Sequence, residues 1–127
     1  MNRPIKFRVW DKRETKGRST QNMLYDAQLH HLWQDFVDYP GYELMQYTGL
    51  TDKNGKEIYE GDIVQYNQNS SYDNMDFIAK WSDDKLGFIF QSNSGEQLVN
   101  QTPHLNRFKH LEVVGNIFEN PELLKTI

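Results

Sequence analysis

Glycine recurs at positions 49, 55 and 61 within YTGLTDKNGKEIYEGDIVQY, the run from Tyr47 to Tyr66. A chain interrupted that often by a residue costly to helix interiors cannot run there as a long helix, so it must double back in short extended pieces. Asn54-Gly55 is a favoured two-residue hairpin turn, which sets Leu50 and Thr51 opposite Ile58 and Tyr59; a longer turn taking in Asp52 and Lys53 would shift that register. The three glycines read as two turns and a bend within one hairpin, since loops that cradle phosphate crowd their glycines into a shorter span.

Alternation extends the strand reading to both ends of the chain. IKFRVWD sets Ile5, Phe7 and Val9 against Lys6, Arg8 and Trp10, the period of a strand with one buried face, and so places its basic residues together on the outer face. DKRETKGRSTQ turns the chain into a returning strand, NMLYDAQ, which predicts an N-terminal hairpin. LHHLWQDFV breaks the pattern: Leu29, Leu32, Trp33 and Phe36 have the spacing of a short amphipathic helix, stopped by Pro40 and Gly41. YELMQYT is extended again. After Ile58 only strands and turns are predicted: IYEGDIVQY, a polar loop NQNSSYDNMD, the hairpin pair FIAKWS and GFIFQS, then QLVN and LEVVGNIF. In ENPELL, Asn120 suits a cap, Pro121 the first helical position and Glu122 the first turn, predicting a helical turn or two at the end.

Many short strands with interleaved turns favour a sheet closed on itself, because closure removes unpaired edges. The expected fold is therefore mainly β (α+β): an SH3-like small β-barrel from about Ile58 to Phe118, with the N-terminal β-hairpin and short helix packed on it. Residues 1–57 would hold the N-terminal hairpin, helix and connecting hairpin, and 58–127 the barrel with its helical turn, in one compact unit. A chain of 127 residues, 37% hydrophobic and 13% aromatic, suits a single core of this kind.

Composition narrows the chemistry. There is no cysteine, which excludes disulfides, a thiol nucleophile, iron–sulfur clusters and Cys-based zinc sites. MNRPIKFRVWDKR becomes charged before an apolar run reaches signal-peptide length, and nothing later approaches a membrane span, so the expected location is cytoplasmic, with no membrane partner. The N-x-S/T matches at Asn69 and Asn100 then carry no meaning. Net charge is -4, unevenly spread: the first eighteen residues hold seven bases and two acids, net +5, and the remainder seven bases and sixteen acids, net -9. The ordinary reading of such asymmetry is a solvated strand face and turn; the functional one is a basic arm that meets an acidic partner, a nucleic acid, or a second copy as a homo-oligomer.

LMQYTGLTDKNGKEIYEGDIV, from Leu44 to Val64, closely resembles the signature of the YopX proteins, small proteins of temperate phages and of prophages in Gram-positive bacteria. The opening IKFRVWDK and the closing VVGNIFENPELL agree in order and position, so the resemblance spans nearly the whole chain. It implies a mainly β fold with a barrel, a phage or prophage accessory protein, and a bacterial host cytoplasm. It carries over no enzymatic reaction, cofactor or catalytic residue. The sequence departs from the family in RETKGRSTQ and around His30 to Asp38.

The residues that invite a chemical role each have an ordinary reading beside it. His31 and Asp35 are helical neighbours, with His30 and Asp38 close by, but a metal site needs a third or fourth ligand, and His104 and His110 stand at no diagnostic spacing. Glu57, Glu60 and Asp62 resemble paired acid–base carboxylates, Glu60 and Asp62 sharing a strand face about 6.5 to 7 Å apart; the alternative is that Gly61 bends the strand and Asp62 bonds local backbone N–H groups. No nucleophile elbow, Walker loop or dinucleotide fingerprint occurs.

The expectation is accordingly a non-enzymatic interaction module for a host or phage protein, without catalytic, metal or cofactor residues. Its candidate contact residues are Lys6, Arg8, Lys12, Arg13, Lys53 and Lys56. The alternative is a nucleic-acid-binding factor, with the basic hairpin meeting phosphates and Tyr47, Tyr59, Tyr66, Tyr72 and Trp81 stacking bases; the net -9 of the body opposes it. An acidic surface imitating DNA would need far more charge than -4.

Overall fold

The computed structural model describes residues 5–12, 14–15, 18–19, 22–25, 41–67, 73–99 and 110–126. The predicted helix over 29–36, with His30, His31, Asp35 and Asp38, lies outside these residues, as do Arg13, Tyr72 and His104. The protein divides into two compact units, residues 1–47 and 48–127.

In the first unit β1 (Phe7–Asp11) pairs antiparallel with β4 (Asn22–Tyr25), giving the hairpin that IKFRVWD and NMLYDAQ predict. Its connection carries a small arm of its own, β2 (Glu14–Thr15) against β3 (Arg18–Ser19). On its other edge β1 pairs with the start of β5 (Tyr42–Thr51), from Phe7 opposite Gln46 to Asp11 opposite Tyr42.

That second neighbour corrects the expectation of a dry and a wet face. Arg8 is only 2% exposed and Trp10 and Asp11 are also buried, alongside the fully buried Val9. The cause is cross-strand company: Arg8 stands between Tyr25 on one side and Met45 on the other, and directly opposed side chains lie close enough to wall in a long stem. Phe7, Leu24 and Tyr42 pack around Val9.

The second unit holds the larger core. After Thr48 the rest of β5 lies beside β6 (Glu57–Tyr59), and β7 (Asp62–Tyr66), β8 (Asp76–Ser82), β9 (Gly87–Gln91) and β10 (Gln97–Val99) follow as an antiparallel meander. β11 (Leu111–Asn116) returns to pair with β7, so the five strands run β10-β9-β8-β7-β11 and curl as a half-barrel. The predicted pairing of FIAKWS with GFIFQS is present, with Ala79 opposite Phe90 and Trp81 opposite Phe88. Alternation puts Val64, Phe77, Ala79 and Phe90 on one face, and these cluster with Ile58 and Leu111 as the buried centre. Burying one such side chain contributes roughly 1.5–3 kcal/mol, so this cluster is the main source of the unit's stability.

The predicted single strand IYEGDIVQY is instead two. Glu60 and Gly61 form a turn between β6 and β7, with Gly61 at φ +85°. At the far end β11 shifts register between Val113 and Gly115. A Cβ on Gly115 would come within 2.6 Å of Asn120 Oδ1, so only glycine lets that side chain approach and accept the Asn116 N–H at 3.2 Å. Pro121–Thr126 then forms a 3₁₀ helix with Glu122 in its first turn, as the ENPELL punctuation predicts.

Candidate functional site

The β5–β6 hairpin takes the longer of the two turns the sequence allows, a five-residue loop Asp52-Lys53-Asn54-Gly55-Lys56, rather than the two-residue turn on Asn54-Gly55. Asp52 N–H donates to Lys56 O at 2.8 Å, and Gly55 N–H donates to Asp52 O at 3.0 Å. Gly55 has φ +82°, whereas Asn54 is not among the described non-glycine residues with positive φ. A two-residue I′ turn needs positive φ at both centres; a turn closed by a left-handed glycine needs it only at the glycine. Asp52 therefore faces Lys56, and the pairing moves by one residue from the Asn54-Gly55 register.

Asp52 fastens this loop twice. Its Oδ1 accepts the N–H groups of Asn54 (2.8 Å) and Lys56 (2.9 Å), and its Oδ2 accepts the N–H of Val113 in β11 at 3.0 Å. Lys53 N–H donates to Leu111 O at 2.8 Å beside it. Burial pushes the Asp52 carboxyl up, but the N–H donors of Val113, Lys56 and Asn54, with the Lys56 charge, outweigh it and hold the group below its ordinary value. The exposed result is a fixed tip carrying two lysines. Lys53 Nζ lies 3.3 Å from Glu112 Oε2, and Lys56 is exposed.

The candidate acid–base pair dissolves by the same logic. Asp62 is buried and its Oδ2 accepts the Tyr59 N–H at 2.8 Å, closing the β6–β7 turn, as the backbone-bonding alternative expects. Glu60 sits in that turn, not on a strand face with Asp62. Asp76 is also buried, accepting from Gln65 Nε2 at 2.8 Å. His110 stands edge-on to Tyr66, centroids 6.3 Å apart. Among the described residues no three His, Asp or Glu side chains gather as metal ligands.

Lys6 holds its ammonium 5.6 Å from the centre of the Tyr47 ring, Arg8 is buried, and Lys12 pairs with Glu43 at 2.9 Å. Of the base-stacking candidates, Tyr47 and Tyr59 are buried, Tyr66 is half-buried, and Trp81 is 48% exposed. Trp81 meets Phe88 edge to face at 5.2 Å and donates its indole N–H to Asp83 Oδ1 at 2.9 Å. At the tip of the same hairpin Leu86 is 81% exposed with φ +52°, a conformation that β-turn chemistry usually assigns to Gly or Asn.

Sequence reading misses the anchoring role of Asp52. Its one local signal is the D-x-x-G spacing, an Asp able to bond N–H groups two residues on, ahead of a glycine.

A family model described as YopX protein matches residues 6–125. A crystal structure of protein EF1440 from Enterococcus faecalis superposes with a TM-score of 0.57 and 28% sequence identity, covering 97% of this chain and 99% of that one. No curated protein matches.

Proposed function

We propose, for a chain that belongs to the YopX family, that it acts without catalysis as a protein-interaction module, a phage or prophage accessory protein working in the host cytoplasm. The observation that carries this reading is the tip of the β5–β6 hairpin. Three backbone N–H groups on one carboxylate hold Lys53, Asn54, Gly55 and Lys56 in a single exposed conformation, and a surface ordered before binding loses less entropy on contact. Asp62, which resembles an acid–base group in sequence, is occupied with a backbone donor instead, as is Asp52.

The order β10-β9-β8-β7-β11, in which the last strand returns to the first strand of a meander, supports an SH3-like barrel as the scaffold. Lys53 and Lys56 are the contact residues this reading favours; Lys6, Arg8 and Lys12 are engaged or buried within their own unit. The partner is a host or phage protein.

The test is affinity capture from lysogenic host cells with the wild-type protein and with K53A/K56A. The variant should lose a captured protein while unfolding at an unchanged urea midpoint. Equal capture by both would remove the tip as the contact surface, and substrate turnover abolished by one side-chain substitution would end the non-enzymatic reading.

A further inference from the structure

Asn54-Gly55 is the only Asn-Gly step in the sequence, and the structure puts it at an exposed tip. Gly55 carries no side chain, and the space where a Cβ would stand is open, so no side chain at position 55 crowds the approach of the Asn54 side-chain carbonyl to the Gly55 nitrogen once that nitrogen is freed. We propose that Asn54 is a self-modification site, converted to aspartate or isoaspartate through a cyclic imide, and that Asp52 is the lock that sets its rate.

The chemistry balances with water alone. The Gly55 nitrogen bonds to Asn54 Cγ, the bond from Cγ to Nδ2 breaks, and the departing group leaves as ammonia with the proton Gly55 gives up. One water then opens the five-membered imide at either carbonyl, leaving an ordinary aspartate or an isoaspartate whose backbone runs through the side-chain carbon.

The fold opposes the first of these bonds. Gly55 N–H is already donated to Asp52 O at 3.0 Å, and Asp52 Oδ1 holds the N–H groups on either side, of Asn54 and Lys56. For attack, the loop must open and the Asn54 side chain swing onto the freed nitrogen. The anchor to Val113 makes that opening costly, because it ties the lock to a core strand.

An internal comparison exists in the same molecule. In the matching β9–β10 turn the place of Asn54 is taken by Ser94; the asparagine there, Asn93, stands one position earlier, its Nδ2 donates to Leu124 O at 3.2 Å and a serine follows it. Conversion at 54 places a new negative charge between Lys53 and Lys56. An isoaspartate there also lengthens the backbone inside the loop that Asp52 and Lys56 close.

Incubation in mildly alkaline buffer, followed by peptide mapping with mass spectrometry and isoaspartate detection, tests this on wild type, D52A and N54Q, each in native buffer and in urea. In urea, Asn54 should convert ahead of every other asparagine, Asn93 included. Native wild type should convert there slower by roughly tenfold or more, the effect of one to two hydrogen bonds on the opening equilibrium. Native D52A should close most of that gap, and N54Q should abolish the product at 54. Asn54 staying intact in urea, or converting after Asn93, overturns the site. Equal native and urea rates for wild type overturn the lock, and that comparison stands even if D52A does not fold.

Discussion

The turns Asp52–Lys56 and Ser92–Glu96 are nearly the same object built from different side chains. In each, the first residue's N–H donates to the fifth residue's carbonyl, at 2.8 and 2.9 Å, and a glycine N–H donates back to the first carbonyl, at 3.0 and 3.1 Å. Gly55 and Gly95 both take positive φ, +82° and +96°. In each, a side-chain oxygen on the first residue also accepts the fifth N–H: Asp52 Oδ1 at 2.9 Å and Ser92 Oγ at 3.2 Å.

The difference is the second oxygen. Asp52 Oδ2 reaches the Val113 N–H, 61 positions along the sequence. Among the described residues the Ser92 hydroxyl finds only Ser94 and Glu96, inside its own turn, and Ser94 donates to the same Glu96 oxygen. A carboxylate with two acceptor atoms can close a turn and join it to a strand; a hydroxyl closes the turn. The Asp52 anchor is therefore a tertiary contact and the Ser92 anchor a local one, the second turn reaching outward through Asn93 and Leu124 O instead.

Breaking the anchors should separate the two most widely. Asp52→Ala removes three charge-assisted bonds, one of them to the β11 backbone, and is expected to cost about 3 kcal/mol by urea unfolding. Ser92→Ala, which removes bonds confined to its own turn, should cost under about 1 kcal/mol. Equal losses would erase the distinction.

Acid sharpens it. A carboxyl held below its ordinary value of 3.8 contributes stability that is present above that pH and lost as pH falls through the lower folded value. Wild type should therefore shed the Asp52 contribution below pH 3.8. In D52A that part of the acid limb should be missing. Hydrogen bonds from Ser94 and Ser92 also hold Glu96 below its ordinary value, but its carboxylate lies at the surface, so Ser92→Ala should leave the acid limb nearly unchanged. Unfolding followed across acid pH in all three proteins makes the comparison.

At the glycines the turns should behave alike. Gly55→Ala and Gly95→Ala each force an L side chain into the left-handed region, offset partly by a less flexible unfolded state, for a net cost of about 1 kcal/mol apiece. Similar midpoint shifts confirm a common backbone; a large shift at one site only says that the loops differ.

The smallest effect belongs to Lys53→Ala. Its pair with Glu112 is about half exposed on both sides, so its loss should change stability by no more than about 0.5 kcal/mol. A larger loss would mean that the ion pair, not the carboxylate, joins the tip to β11.

What the sequence discloses, and what it withholds, follows the same line between local and distant. Period-two alternation marks β8 and β9 and their pairing, because face assignment is a local property of a strand. Asn120, Pro121 and Glu122 mark the last helical turn for a similar reason. Asn54-Gly55 leaves two registers open, and the longer turn that takes in Asp52 and Lys53 is the one formed, because the Asp52 side chain and carbonyl decide where the loop closes. Arg8 misleads because alternation assigns faces but says nothing of how many strands flank them; β1 has two neighbours. Trp81 keeps the phase of Phe77 and Ala79 yet ends up half exposed, since phase does not reveal where a core stops. The Asp52–Val113 bond joins residues too far apart for any local pattern to announce it.

Beside the Lys53–Leu111 backbone bond, the Asp52 carboxylate is the side-chain anchor that holds the β5–β6 tip to β11 through Val113. Native-state hydrogen exchange at the Val113 amide measures that bond directly. Under conditions where all three proteins stay folded, Val113 protection should drop in D52A and remain at the wild-type level in S92A. Unchanged protection of Val113 in D52A would contradict the claim.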